Sequence, residues 1–434
     1  MQANLVNGQL GLPTFFTWKC MLDDMDQVDN GADPTDSQSD KQSFEFPRRS
    51  FLKIAGAGLA PLGLGTAFGA LNPSQPLPLA KQHLPGLITR QKEPENLESP
   101  FSALESRITP NDLFYVRTHF ATPHLKVADW KLQIEGAVNT PLTLTYDELK
   151  ALPSKTVTAT LECAGNSRVY LTPPARGVQW EQGAVSTAEW TGVPLSVLLE
   201  KAGMHPDAIE VVLEGADSGE LKDPPHPGAA LHFSRSLPLE KALQKNVLIV
   251  YEMNGEPLPV GHGFPVRAIV PEWFAVASVK WLTRLVVVTK PFHGYFQTID
   301  YAYWKHENGL AHRVPITSLL VKSQISRPEF RESVAAGSTY KVTGAAWTGE
   351  HEVVKIELSS DGGHTWSDAQ WTSKSETGAW RLWEFEWKVP STPGIVTLAS
   401  RATDSAGNVQ PATRDLDREN YLINQVIPIE VHVK

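Results

Sequence analysis

Thr160-Leu-Glu-Cys-Ala-Gly-Asn-Ser-Arg168 is the stretch on which the reading of this chain turns. The chain has two cysteines, Cys163 here and Cys20 upstream of a segment that looks like an export signal. Once Cys20 is removed by processing, Cys163 has no partner for an internal disulfide and cannot build a metal site of several thiolates. Three readings of the lone thiol stand: an inert core residue, a nucleophile, or a single thiolate ligand to a metal held mostly by something else. The preceding Thr156-Val-Thr-Ala-Thr-Leu161 alternates like a strand. Gly165 and Asn166 then make a turn, so the thiol sits where a strand opens into a loop, a place where rigid scaffolds present their chemistry. Arg168 adds a positive charge that favours thiolate over thiol.

Outward from this loop, the organisation is that of a multi-domain, α+β chain. With 434 residues, 41% hydrophobic and 20% charged, it is expected to fold as two or three soluble globular domains. A net charge of −9 gives no reason to invoke nucleic acid or an anionic membrane surface. The 33 Pro and 31 Gly predict many turns and a β-rich body. Beyond residue 70 no apolar run is long enough to span a bilayer, so the mature chain is expected to have no transmembrane anchor.

Residues 1–70 read as a disordered, acidic leader followed by a twin-arginine signal, Pro47-Arg-Arg-Ser-Phe-Leu-Lys53, with the apolar run Ile54–Ala70 behind it. That address predicts export to the periplasm. Residues 71–100 are Pro-rich and read as an extended linker. Residues 101–315 mix strand-like runs (Lys131–Ile134, Ile209–Leu213, Leu248–Tyr251, Leu285–Thr289) with short helices. One helix should open on a capping box, Thr145-Tyr-Asp-Glu148, and another, Pro194–Ala202, should end on Gly203. Residues 316–434 change texture to closely spaced alternating strands, which suggests an immunoglobulin-like β-sandwich. Ser360-Asp-Gly-Gly-His-Thr-Trp366 has one carboxylate and no spaced oxygen ligands, so it reads as a turn rather than a calcium loop. The 13 His show no pair at zinc spacing, and no Cys-x-x-Cys-His haem site exists.

Five motifs, in order, resemble the sulfite oxidase family of molybdopterin enzymes. Leu161-Glu-Cys-Ala-Gly-Asn-Ser-Arg168 is similar to its molybdenum-ligand loop, and Phe114-Tyr-Val-Arg-Thr-His119 to its substrate and cofactor segment. Gly183–Leu195 resembles the segment after the cysteine loop, while His262-Gly-Phe-Pro-Val-Arg267 and Ala277-Ser-Val-Lys-Trp281 resemble its pterin-phosphate cradle. The resemblance implies a mixed α/β molybdopterin domain followed by a β-sandwich that dimerises. It also implies a molybdenum–molybdopterin cofactor, with Cys163 as the one protein ligand to the metal, since a pterin dithiolene supplies the remaining sulfur. Arg117 and Arg168 would grip an oxyanion through forked hydrogen bonds. Tyr301, in Thr298-Ile-Asp-Tyr-Ala-Tyr-Trp304, matches the family's active-site tyrosine, and Trp180 would wall the pocket. His119, Asp217, His262, Arg267, Ser278 and Lys280 form the expected pterin-binding set, with the three cationic candidates His262, Arg267 and Lys280 at the terminal phosphate. The implied reaction is oxidation of sulfite to sulfate by oxygen-atom transfer. With no haem in this chain, electrons would pass to an external carrier such as cytochrome c. The alternative is a reductase or another oxo-transfer enzyme on the same cofactor, acting on a sulfoxide, nitrate or other small substrate.

The chain departs from the animal members at three places. Thr118 and Ser167 stand where those usually carry Asn and Arg. A third pocket arginine, in a Trp-Asn-x-Arg-Gly segment, falls on Asp417-Arg-Glu-Asn-Tyr421, with Glu419 at the matching place.

Overall fold

In the computed structural model, residues 86–221 and 228–434 are described; the leader, Cys20 and the twin-arginine segment lie outside them. Strands dominate, and among the described residues α-helix is confined to four short pieces, of which Leu195–Ala202 is the longest. None is long and apolar enough to cross a membrane.

Two five-stranded sheets build the body of the first region. One runs Glu256–Pro257, Leu248–Met253, Val185–Pro194, Lys155–Glu162, with Arg267–Ile269 also paired to Leu248–Met253. The other runs Leu142–Thr145, Lys131–Gly136, Leu282–Val288, Glu210–Gly219, Leu231–Pro238. Its pairs are antiparallel except Lys131–Gly136 with Leu282–Val288, which is parallel. The two predicted helix ends are present for the reasons anticipated. Thr145 accepts the Glu148 N–H while the Glu148 carboxylate accepts that of Thr145, which satisfies two otherwise orphaned donors. Leu195–Ala202 buries Leu195, Leu198, Leu199 and Ala202 at helical spacing, and it stops at Gly203, whose φ of 66° suits glycine.

The expectation of an extended linker over residues 71–100 is corrected for its second half. Ile88–Gln91, Asn96–Glu98 and Val116–Arg117 form a three-stranded sheet. Glu98 is buried because its carboxylate accepts from the Gly183 N–H at 2.6 Å and the Glu181 N–H at 3.2 Å, and pairs with Arg90. Proline-rich composition predicts extension, but it says nothing of whether the extended chain meets a partner edge.

In the C-terminal region, two sheets contribute side chains to one core. The first is Lys322–Arg327, Thr339–Trp347, Arg381–Lys388, Gln370–Trp371; the second is Ser333–Val334, Ile429–Val433, Gly394–Asp404, Val353–Ser359, Ser367–Asp368. Val342, Trp383 and Trp387 of the first meet Ile356, Leu398 and Val431 of the second. The Ser360–Trp366 stretch is a turn between strands, held by the Asp361 carboxylate, which accepts from the His364 and Thr365 N–H groups and the Thr365 hydroxyl.

The two regions are stitched at the cysteine loop. Lys322, 1% exposed, reaches Glu162 at 2.8 Å and Ser167 Oγ at 3.1 Å. Trp347 Nε1 donates to the other Glu162 oxygen at 2.8 Å. Buried charges persist only when paired and hydrogen-bonded, and here Lys322 and Trp347 hold the residue just before Cys163 and Ser167 of its loop.

Candidate active site

Cys163 follows directly on the strand Lys155–Glu162, as the alternation of Thr156–Leu161 predicts. Its N–H donates to Ala184 O at 2.9 Å, and its carbonyl accepts from the Asn166 N–H at 2.8 Å. Asn166 Oδ1 in turn accepts from the Ala184 N–H at 3.1 Å. The turn that throws the thiol off the strand is therefore fixed on both sides. Among the described residues, no group of three or more His, Cys, Asp or Glu side chains is placed to hold a metal by itself.

The thiol opens into a cavity that brings together most of the expected set. Arg117, His119, Cys163 and Tyr301 line it, and so do Asp217, His262, Arg267, Ser278 and Lys280. An outer recess shares Arg117 and His119 with it and adds Arg90, Phe120, Gln179 and Asp300.

Around Tyr301 the groups are tightly linked. The Tyr301 hydroxyl lies 2.6 Å from His119 Nε2 and accepts from Arg117 Nη2 at 3.4 Å. Burial pushes its phenol up to about 12, so it stays protonated at neutral pH. Burial, with Arg117 and Lys280 nearby, holds His119 well below the usual imidazole range and keeps the ring neutral. The ring stacks on Phe233 at 4.4 Å. Arg117 is braced by Asn96 Oδ1 at 3.2 Å, which also accepts the Thr118 N–H at 3.0 Å.

The same cavity holds a cationic cradle. Arg267 donates to the carbonyls of His262 and Ser278, both at 2.9 Å, and Lys280 Nζ donates to Gly261 O at 2.8 Å. Ser278 Oγ accepts from the Val270 N–H at 3.0 Å. Burial lowers Arg267 to about 10 and His262 to about 3, and it sets Lys280 well below the ordinary ammonium range, with Arg267 adding to the effect. An incoming anion would restore the charge that burial disfavours. Asp217 completes the wall: its Oδ1 is buried without a hydrogen-bond partner, and burial raises the carboxyl to about 6. A buried, orphaned carboxylate oxygen in a polar cavity is poised to accept from a ligand donor.

Two expected residues sit elsewhere. Trp180 does not wall the cavity: it is fully buried one layer behind, edge-on to Tyr115 at 6.4 Å, because Tyr115 takes the lining position. Arg168 is not among the lining residues either. Its Nη1 donates to Val178 O at 2.9 Å and its Nε to Asn420 O at 3.1 Å. A Cβ on Gly177, whose φ is 106°, would come within 2.6 Å of the Arg168 guanidinium, so glycine there makes room for it. Glu419, at the place of the third arginine, turns outward to accept from Trp304 Nε1 at 3.0 Å and Arg313 at 3.3 Å.

Sequence reasoning missed Asn96, Tyr115, Phe233, Asp300 and Tyr421. Tyr115, Asp300 and Tyr421 lie inside quoted stretches and were within reach; Asn96 and Phe233 are tied to the site only by contacts across the fold.

Comparison with known proteins agrees with this geometry. A family model described as the oxidoreductase molybdopterin binding domain matches residues 119–296, and one described as the Mo-co oxidoreductase dimerisation domain matches residues 313–424. Sulfite oxidase of Gallus gallus is 36% identical over 352 residues, covering 75% of this chain and 73% of that protein. Mitochondrial sulfite oxidase of Rattus norvegicus is 35% identical over 353 residues, covering 76% of this chain. The match spans 62% of the length of that rat protein. Among solved structures, the sulfane dehydrogenase SoxCD from Paracoccus pantotrophus aligns with a TM-score of 0.70 at 28% identity, covering 85% of this chain and 96% of that one.

Proposed function

The chain belongs to the sulfite oxidase family of molybdopterin oxidoreductases, and from that premise we propose that it oxidises sulfite to sulfate by oxygen-atom transfer. The observation that carries the reading is one cavity lined by a thiol, a phenol and an arginine together with the cationic side chains of an anion cradle. The residues fit the cofactor. Asp217 Oδ1 lacks a partner and would accept from the pterin ring, while Arg267 and Lys280 direct their donors only to backbone carbonyls and would meet the phosphate. Cys163 would be the single protein sulfur on the metal. When bound, the cofactor supplies the transferable oxygen and the two-electron redox change.

The protein's part is orientation and charge. Arg117 brings a fixed positive charge beside Tyr301, where an oxyanion would enter from the outer recess. Tyr301 presents a protonated phenol, and neutral His119 fixes its height through the 2.6 Å contact. Arg168 ties the cysteine loop to the C-terminal segment and contributes positive potential from behind the pocket. Electrons then leave to an external carrier such as a c-type cytochrome.

The remaining assignments belong to the same reading. Pro47–Lys53 directs export through the twin-arginine route to the periplasm, and residues 316–434 form an immunoglobulin-like sandwich through which two chains associate. One observation favours a second reading. With Glu419 turned away to Arg313, the described residues place no arginine at the position where the animal enzymes carry their third, which suits a less charged substrate such as a sulfane sulfur or another oxo-transfer partner.

The test is to mix oxidised, cofactor-loaded protein anaerobically with sulfite and follow the thiolate-to-molybdenum absorption. Bleaching by sulfite supports the first reading; bleaching by dithionite alone favours the second. Cys163→Ser should lack that band and nearly all turnover even with pterin bound, and surviving turnover would sink the ligand assignment.

A further inference from the structure

The segment Asn420-Tyr-Leu422 comes late in the chain, yet it touches both halves of the reacting end of the cavity. The Asn420 carbonyl accepts from Arg168 Nε at 3.1 Å. The Leu422 N–H donates to the carbonyl of Ala164, the residue after Cys163, at 2.9 Å. Between them the Tyr421 ring stacks on Tyr301, with centroids 4.8 Å apart and planes 28° from parallel. The Arg168 guanidinium lies 5.2 Å from the centre of the same Tyr421 ring. The Tyr421 hydroxyl donates to Asp300 Oδ1, and that same oxygen accepts the Tyr301 N–H at 3.1 Å.

Tyr301 needs such support. Its φ of 52° is left-handed, a conformation that a bulky residue adopts only when its surroundings impose it. The hydroxyl is held by His119 and Arg117 and the N–H by Asp300, and the His119 ring stands edge-on to the phenol at 5.4 Å. Tyr421 supplies the stacked face and also holds the Asp300 carboxylate in place. Offset stacking fixes a ring plane more tightly than an aliphatic neighbour does, because it constrains tilt as well as distance.

We propose that Tyr421 is a positioning residue: it sets the plane of Tyr301 and, through Asn420 and Leu422, holds that plane in register with the Cys163 loop. Tyr421 acts through Tyr301, and the proposal rests on the reading of Tyr301 as the phenol that faces the reacting centre.

The test compares cofactor-loaded Tyr421→Leu, Tyr421→Phe and Tyr301→Phe with the parent chain. It measures kcat and KM for sulfite, molybdenum content, and amide hydrogen exchange of a peptide spanning residues 299–303. Tyr421→Leu should lower kcat by about tenfold or more with KM within about twofold, since misplacing a reacting group acts on the chemical step rather than on binding. Its molybdenum content should be retained and exchange at residues 299–303 should quicken. Tyr421→Phe keeps the stack and loses the Asp300 bond, so it should partly rescue kcat while exchange stays faster than in the parent. Parental kcat and exchange in Tyr421→Leu would overturn the proposal. If that variant fails to fold or load, parental exchange and kcat in Tyr421→Phe would overturn it instead. Tyr301→Phe separates the two layers: an unchanged kcat there sinks the role of Tyr301 itself, whereas a lowered kcat beside a silent Tyr421→Leu sinks only the positioning.

Discussion

Asp217 is a carboxyl whose environment and chemistry pull in opposite directions. Burial raises it from 3.8 to about 6, although Lys280 nearby favours the ionised form. A raised folded pKa means the folded chain holds its proton longer than the unfolded one, so stability falls as pH rises from about 4 to about 6 and the loss is complete above that window. In cofactor-free protein, the melting temperature of the parent should therefore drop relative to Asp217→Asn across that window, followed by calorimetry at several pH values. A constant difference would mean the carboxyl is not buried in solution. Arg117 makes the complementary prediction. Arg117→Gln should raise the sulfite KM about ten- to hundredfold, because a charged hydrogen bond to an anion contributes about 1.5–3 kcal/mol. An unchanged KM in steady-state assays would remove Arg117 from the substrate end. Arg117 stands in a motif readable in the chain, but the orphaned Oδ1 of Asp217 and the Asn96 brace on Arg117 were not legible, since neither leaves a local pattern.

At the scale of elements, the strand Lys155–Glu162 and its loop are the part most fully legible in advance. Alternation predicted the strand, and Gly165 and Asn166 predicted the break after it. The capping box at Thr145 and the glycine stop at Gly203 were legible for the same reason: each is a satisfied backbone group within a few residues. The anchor on the loop was not, because Lys322 lies in another region of the chain and reaches Glu162 only in the folded protein. Lys322→Met alone should cost about 3–5 kcal/mol by leaving Glu162 buried and unpaired, and Glu162→Gln with Lys322→Met should recover most of it. Chemical denaturation of the two variants checks this, and equal losses would mean the pair is not the anchor.

For the whole molecule, the family match over residues 313–424 and the two-sheet core lead to the expectation of a homodimer. Sedimentation equilibrium should give twice the chain mass at micromolar concentration, and a monomer throughout would argue against it. Phe330, Ile395 and Leu416 are exposed apolar side chains of this region. Single exposed apolar residues are ordinary on any surface, so they do not by themselves mark the contact.

Local chemistry in the sequence determined the strand-to-loop turn at Cys163, the helix ends, the β-rich character and the order of motifs that names the family. These depend on neighbours in the chain, and neighbours are visible in a string of residues. Tertiary structure alone decided that residues 88–98 pair rather than trail, that Tyr115 rather than Trp180 lines the cavity, that Arg168 folds onto Val178 and Asn420, and that Tyr421 stacks on Tyr301. Each is a choice among partners distant in sequence, settled by which buried donors, charges and rings can be satisfied together in one packed interior.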